Sequence, residues 1–191
     1  MGFVLVNAES VTPQPWRNGG GQTRELLAWP LGPDWRLRIS RADIAADGPF
    51  SAFPGVQRWF TVLQGAGVLL TFGDEERRVQ PGDAPLYFDG AAAPGCYLLN
   101  GPTQDLNLMA RKGSGVMRAV QPGHEWSEAC AMRGIYTTGA GVWCSAQQTL
   151  QLCAHTLLWM QPGGKDPWTF DAADGAKAKA NAWWLGFTPE E

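Results

Sequence analysis

The residues of this 191-residue chain best suited to chemistry fall in three places. The first is Pro15-Trp16-Arg17-Asn18-Gly19-Gly20-Gly21-Gln22-Thr23-Arg24-Glu25. Three consecutive glycines let the backbone reach positive φ and bring N–H groups close to a ligand, an arrangement that favours anions. Arg17 adds a planar fork suited to a carboxylate. The cluster is not a P-loop, because no Gly-Lys-Ser/Thr follows, and it lacks the G-x-G-x-x-G spacing; a flexible hairpin is the plainer account of the same glycines. In the second place, Trp35-Arg36-Leu37-Arg38-Ile39-Ser40, strict alternation sets Trp35, Leu37 and Ile39 on one face of a strand and Arg36, Arg38 and Ser40 on the other. The third, Asp105-Leu106-Asn107-Leu108-Met109, sets Asp105, Asn107 and Met109 opposite Leu106 and Leu108. Such polar stripes either face solvent or line a common pocket. Inside a pocket, Arg and Asp must satisfy each other or a ligand, because an isolated buried charge is costly.

Other chemistries are poorly provided for. No Ser-His-Asp order and no G-x-S-x-G elbow is present, so catalytic residues stay unknown. A general base would have to be Asp105, Asp47 or Glu25. The only histidines, His124 and His155, lie far apart and read as a loop residue and a satisfied strand residue. Cys96, Cys130, Cys144 and Cys153 form no C-x-x-C pair and are expected as buried, reduced thiols. No metal site and no cofactor is expected. The ten tryptophans read as packing, with Trp16, beside the glycine run, the exception to watch.

The elements that must position these residues are strands. Eight Pro-Gly or Gly-Pro pairs punctuate the chain, and between them lie short runs rich in aromatic and β-branched residues. Examples are Trp59 to Leu63, Val68 to Phe72, Leu106 to Met109 and Thr156 to Met160. Short strands at this spacing predict a sandwich or barrel. Helix is expected only over Thr23 to Ala28 and over Ala172 to Ala182, the latter interrupted by Gly175. Gln-Pro-Gly recurs at Gln80, Gln121 and Gln161, but the flanks differ and argue against a propeller.

Composition narrows the partners. The net charge of -3 offers no basic stripe for nucleic acid. No run approaches the ~20 apolar residues of a membrane span. Met1 to Asn7 lacks the features of a signal peptide. A cytoplasmic protein, without nucleic-acid or membrane partners, is expected. Nine of the eleven Arg precede Lys112, so a polar site belongs to the first half. Two units are expected, residues 1–112 with the pocket and residues 113–191 as a structural partner covering its strand edges.

Arg58 to Val68, then Val79-Gln80-Pro81-Gly82-Asp83 and Leu86 to Phe88, follow the order of a cupin barrel, with Arg58 near the point where a His-x-His pair would begin. Together with Pro15 to Leu26, Trp35 to Ala42, Asp47 to Gly55, and Gly101-Pro102 with Asp105 to Met109, the chain resembles the HutD/Ves family of metal-free, two-barrel cupin-like proteins. The resemblance covers about residues 12–112. It implies an all-β fold of two cupin-like barrels (a bicupin, RmlC-like jelly roll) packed as one unit. It also implies a ligand-binding or regulatory role in histidine utilisation, with formylglutamate or urocanate as ligand; an enzymatic activity is not implied. A monomer or homodimer is expected. The residues expected at a small anionic ligand are Trp16, Arg17, Asn18, Gly19, Gly20, Thr23, Arg38, Ser40, Arg58, Asp105 and Asn107. A cofactor-independent cupin enzyme of the sugar epimerase or isomerase type, or a protein-interaction module docking through the Trp-rich second half, would use the same fold.

Overall fold

The computed structural model describes residues 2–162, 164–173 and 181–190. In the first part of the chain the strands are β1 (Gly2–Asn7), β2 (Gln14–Pro15), β3 (Gly21–Trp29), β4 (Leu37–Ile44), β5 (Gly48–Pro49) and β6 (Gln57–Gln64). Next come β7 (Val68–Phe72), β8 (Glu75–Val79), β9 (Leu86–Asp89), β10 (Gly95–Leu98) and β11 (Thr103–Ala110). The second part holds β12 (Gly113–Ala119), β13 (Met132–Thr137), β14 (Gly141–Cys144), β15 (Thr149–Leu152), β16 (Thr156–Gln161), β17 (Thr169–Ala172) and β18 (Ala182–Pro189). Among the described residues the helical pieces are two single 3-10 turns, Ala8–Ser10 and Gly90–Ala92. None is long and apolar enough to cross a membrane.

The fold is all-β and cupin-like, built as four layers. A four-stranded sheet, β5-β10-β7-β8, faces a six-stranded one, β2-β3-β4-β11-β6-β9. A five-stranded sheet, β1-β16-β13-β18-β12, faces a three-stranded one, β15-β14-β17. Among the described residues neither half closes into a continuous barrel. Phe50, Phe60, Val62, Val68, Leu70 and Phe88 fill the space between the first pair. Trp126, Ile135, Trp143, Trp168, Phe170 and Trp184 fill the second. The two large sheets pack back to back through Leu37, Ile39, Leu106 and Leu108 against Tyr136, Trp159, Trp183, Leu185 and Phe187. The faces that alternation assigned to a core therefore meet the other half of the molecule, and their polar reverse sides turn inward within the first half. At the seam there is room only for glycine at 115, since a Cβ there would stand 2.6 Å from the Trp59 ring.

The halves repeat one another. The order β4-β11-β6-β9 is matched by β12-β18-β13-β16, and β10-β7-β8 by β17-β14-β15. One strand crosses between them: β1 pairs antiparallel with β16, from Gly2 opposite Gln161 to Asn7 opposite Thr156, and so extends the sheet of the second half.

Two expectations of helix fare differently. Thr23 to Ala28 belongs to β3, which pairs with β4 along its length. A register shift between Glu25 and Leu27 breaks the alternation and sets two leucines side by side, which imitates a helical face. The segment 172–182 lies largely outside the described residues, its ends falling in β17 and β18. Trp35 and Arg36 precede β4 rather than belonging to it, and Arg36 reaches the carbonyl of Glu190. His155 occupies a turn before β16, at φ 56°, instead of a strand. Of the cysteines, Cys96 and Cys130 are buried, Cys144 is half-buried and Cys153 is exposed, all of them free.

Candidate functional site

The inner face of the six-stranded sheet surrounds a cavity of about 410 Å³. Its floor comes from three neighbouring strands in register. Met109 lies between Arg38 and Arg58, Asn107 between Ser40 and Phe60, and Asp105 between Ala42 and Val62. The segment Gln14–Asn18 forms one wall, and Pro49, Phe50, Ser51 and Phe53 form the other. Nine of the eleven residues expected at the site line it: Trp16, Arg17, Asn18, Thr23, Arg38, Ser40, Arg58, Asp105 and Asn107.

Gly19 and Gly20 do not line it, and the glycine run forms no open nest. The Gly19 N–H donates to the Trp16 carbonyl, and the Gly20 N–H to Asn18 Oδ1 at 3.0 Å. Only Gly19 has positive φ, at 71°. Gly21 serves a close approach, because a Cβ would fall 2.4 Å from the Asp43 carbonyl oxygen. The run therefore builds the turn that carries Trp16, whose Nε1–H donates to Thr23 Oγ1 at 2.7 Å.

Arg58 is the centre of the floor. It is 6% exposed, and its guanidinium carbon stands 5.0 Å from the Phe50 ring centroid, 5.0 Å from that of Phe88 and 5.9 Å from that of Phe53. Nη2 donates to Asn107 Oδ1 at 2.8 Å, and Asn107 Nδ2 donates in turn to Asp105 Oδ1. Among the described residues the Nε and Nη1 hydrogens of Arg58 have no acceptor. Burial lowers the Arg58 pKa to about 10, against an upward pull from Asp105, so the group remains a cation at neutral pH. The same burial holds the Asp105 carboxyl well above the usual carboxylate range; Arg58 opposes this and Asp43 adds to it. A buried cation short of acceptors, within reach of a cavity, is chemically a receptor for an anion.

Most of the remaining charges are already matched. Arg38 Nε meets Glu25 Oε2 at 2.7 Å. Asp43 accepts from Gln22, Arg24 and Gln104 and is held below its ordinary range, those bonds outweighing its burial. Arg17 is exposed at the rim. Of the three carboxyls considered as bases, Asp47 is occupied by the Leu98 N–H, Glu25 by Arg38, and Asp105 alone lines the cavity. Among the described residues no group of three or more His, Cys, Asp or Glu is placed to hold a metal ion.

Sequence reasoning missed the wall made by Phe50, Ser51 and Phe53. Its signal was present, two phenylalanines in a tight connection shortly before Arg58, but nothing in the spacing says that the loop folds over that side chain. Met109 and Ala42 could have been added by continuing the period-2 stripes through Asp105 and Asn107 and through Arg38 and Ser40.

Fold and site together define a two-unit cupin-like protein with a polar, arginine-floored cavity in one unit. Comparison with known proteins gives this class a family: the chain belongs to the HutD family, whose model matches residues 8–179. It is 43% identical over 110 residues to an uncharacterized 21.2 kDa protein in the hutC 3′ region of Pseudomonas putida, a match covering 55% of this chain and 56% of that one. Against the protein Ves of Citrobacter koseri it is 30% identical over 160 residues, 78% of this chain and 84% of that one. The solved structure of HutD from Pseudomonas fluorescens SBW25 superposes with a TM-score of 0.83 at 25% identity, covering 100% of both chains.

Proposed function

We propose that the protein binds a small carboxylate such as formylglutamate or urocanate in the first-half cavity, and that this occupancy modulates histidine utilisation. The observation that carries the binding reading is Arg58, with two N–H groups lacking acceptors in an aromatic surround. A carboxylate reaching them displaces the edge of Phe53, the most exposed of the three rings. Its free oxygen and any amide then meet Ser40, Asn107 and Asn18, while Trp16 and Pro49 cover its apolar body. The pathway part rests on the family and on the hutC-region relative. A binding role fits better than catalysis, because the cavity offers one carboxyl and no histidine or metal ligand set.

Calorimetric titration with formylglutamate and urocanate tests the reading, with Arg58→Ala and Arg77→Ala as paired variants. Arg77 sits on the exposed β8, beside Glu75, with 57% of its side chain accessible. Losing Arg58 is expected to cost ~2–5 kcal/mol of binding, and losing Arg77 ~0–1. Equal losses, or no heat of binding from any carboxylate, would refute the proposal.

A further inference from the structure

Resting on that reading, we infer that Asp105 takes up one proton when a carboxylate enters the cavity, so that the ligand meets a neutral carboxylic acid rather than a second anion. The geometry is a directed chain. Arg58 donates to Asn107, and Asn107 donates to Asp105, so an accepting oxygen of Asp105 ends a line of hydrogen bonds that starts at the cation. Asp105 is 1% exposed and lies two residues from Asn107 on the same strand face. A ligand carboxylate held by the free N–H groups of Arg58 becomes a second anion competing for one buried cation. Two carboxylates confined to one site do not both stay ionised.

The other charged and titratable groups around Asp105 leave it as the proton acceptor. On β4, Arg38 is matched by Glu25 of β3, and Asp43 by Arg24 with two amides. Glu25 is already engaged by the 2.7 Å contact to Arg38. On β10, the Cys96 thiol is pushed up to about 12 by burial and already carries its proton. Arg17 lies in the exposed rim. Burial has also raised the proton affinity of Asp105 before any ligand arrives. The balance is simple: a buffer molecule gives up H⁺, an O–H bond forms on one Asp105 oxygen, and that O–H is then available to donate to the ligand.

The test is calorimetric titration of the full chain with N-formyl-L-glutamate, whose carboxyls are fully ionised at about pH 7.5, in PIPES and in Tris. The heats should differ by the buffers' ionisation heats for about one proton taken up per ligand. Affinity should weaken by up to about tenfold per pH unit above the pH at which Asp105 ionises. Asp105→Asn should bind with no proton uptake and a flat pH profile. Wild-type binding with equal heats in both buffers overturns the inference, as does uptake that persists in the Asn variant. If that variant fails to fold, the two-buffer comparison on the wild type still decides. Absence of binding heat in either buffer is a distinct result, which removes the ligand reading itself and this inference with it.

Discussion

The two halves of the molecule each bury an arginine at the second position of the same strand, and treat it in opposite ways. Arg58 on β6 is flanked by Met109 and Phe88; Arg133 on β13 is flanked by Gly186 and Met160. Even the aromatic contacts correspond. Phe50 donates its N–H to Pro94, just before β10, and Trp126 donates its own to Trp168, just before β17. Arg133 is wholly buried, sandwiched at 4.3 Å from both the Trp126 and the Trp168 ring centroids, and donates to the carbonyls of Asp166 and Trp126. Where the first half has Asn107 and Asp105, the matching register positions of the second hold Trp184 and Ala182. One topology thus gives a site hollowed by small polar groups and a core plugged by tryptophan. A buried guanidinium whose two Nη groups both donate to carbonyls between two rings, with Nε alone unpartnered, belongs to the fold, whereas one with both Nε and Nη1 short of acceptors beside a cavity points to a ligand.

The largest expected effect comes from separating the halves. Residues 1–112 alone would lose the partner strand of β1 and expose Leu37, Ile39, Leu106 and Leu108, which pack on the second half. This fragment should not unfold cooperatively in urea; a monomeric fragment with a sharp transition would show that the halves are independent.

A paired substitution sharpens the contrast between the two arginines. Arg133→Met leaves the Asp166 carbonyl without a donor and empties a cation–π sandwich, so it should destabilise by about 2–4 kcal/mol. Arg58→Met removes an under-satisfied charge and should change stability by no more than about 1 kcal/mol in either direction while abolishing carboxylate binding. Urea denaturation of both variants checks this, and equal losses would erase the distinction drawn between them.

The smallest effect concerns the seam. Glu9 follows β1 and meets Arg41 of β4 at 2.5 Å; Arg41 is 2% exposed and Glu9 is 57% exposed. The hydrogen bond from Arg41 outweighs a small desolvation cost and holds the Glu9 carboxyl below its ordinary value. A carboxyl lowered in this way adds stability that is complete above its unfolded-state pKa and disappears as pH falls through its folded-state pKa. Glu9→Gln should therefore cost about 1 kcal/mol at neutral pH, the high exposure of Glu9 limiting the figure. Wild type and variant should converge as pH falls through the lowered folded-state pKa of Glu9, and a gap that does not narrow as acid is added below the usual carboxylate range would contradict this account.

Much of this was legible in the residues because a period of two needs no tertiary knowledge. The stripes through Arg38 and Ser40 and through Asp105 and Asn107 predicted one shared face, and they meet on adjacent strands in register. Arg58 was found through the resemblance, since a lone arginine at a strand start looks like any solvated one. The β3 bulge hid a strand, because two adjacent leucines erase the alternation that would reveal it. The glycine run misled for a different reason: its N–H groups bond within the turn, to a side chain and a carbonyl that spacing alone does not place.

The crossing of β1 also sets an order of events in biosynthesis. Among the described residues, this early strand pairs with Thr156–Gln161, made about 150 residues later. While the ribosome is still working through the second half, Phe3, Val4 and Leu5 have no sheet to join. The nascent first half must therefore wait, with the apolar back of its large sheet uncovered, for the pairing that closes the molecule, and this interval is its greatest exposure to aggregation.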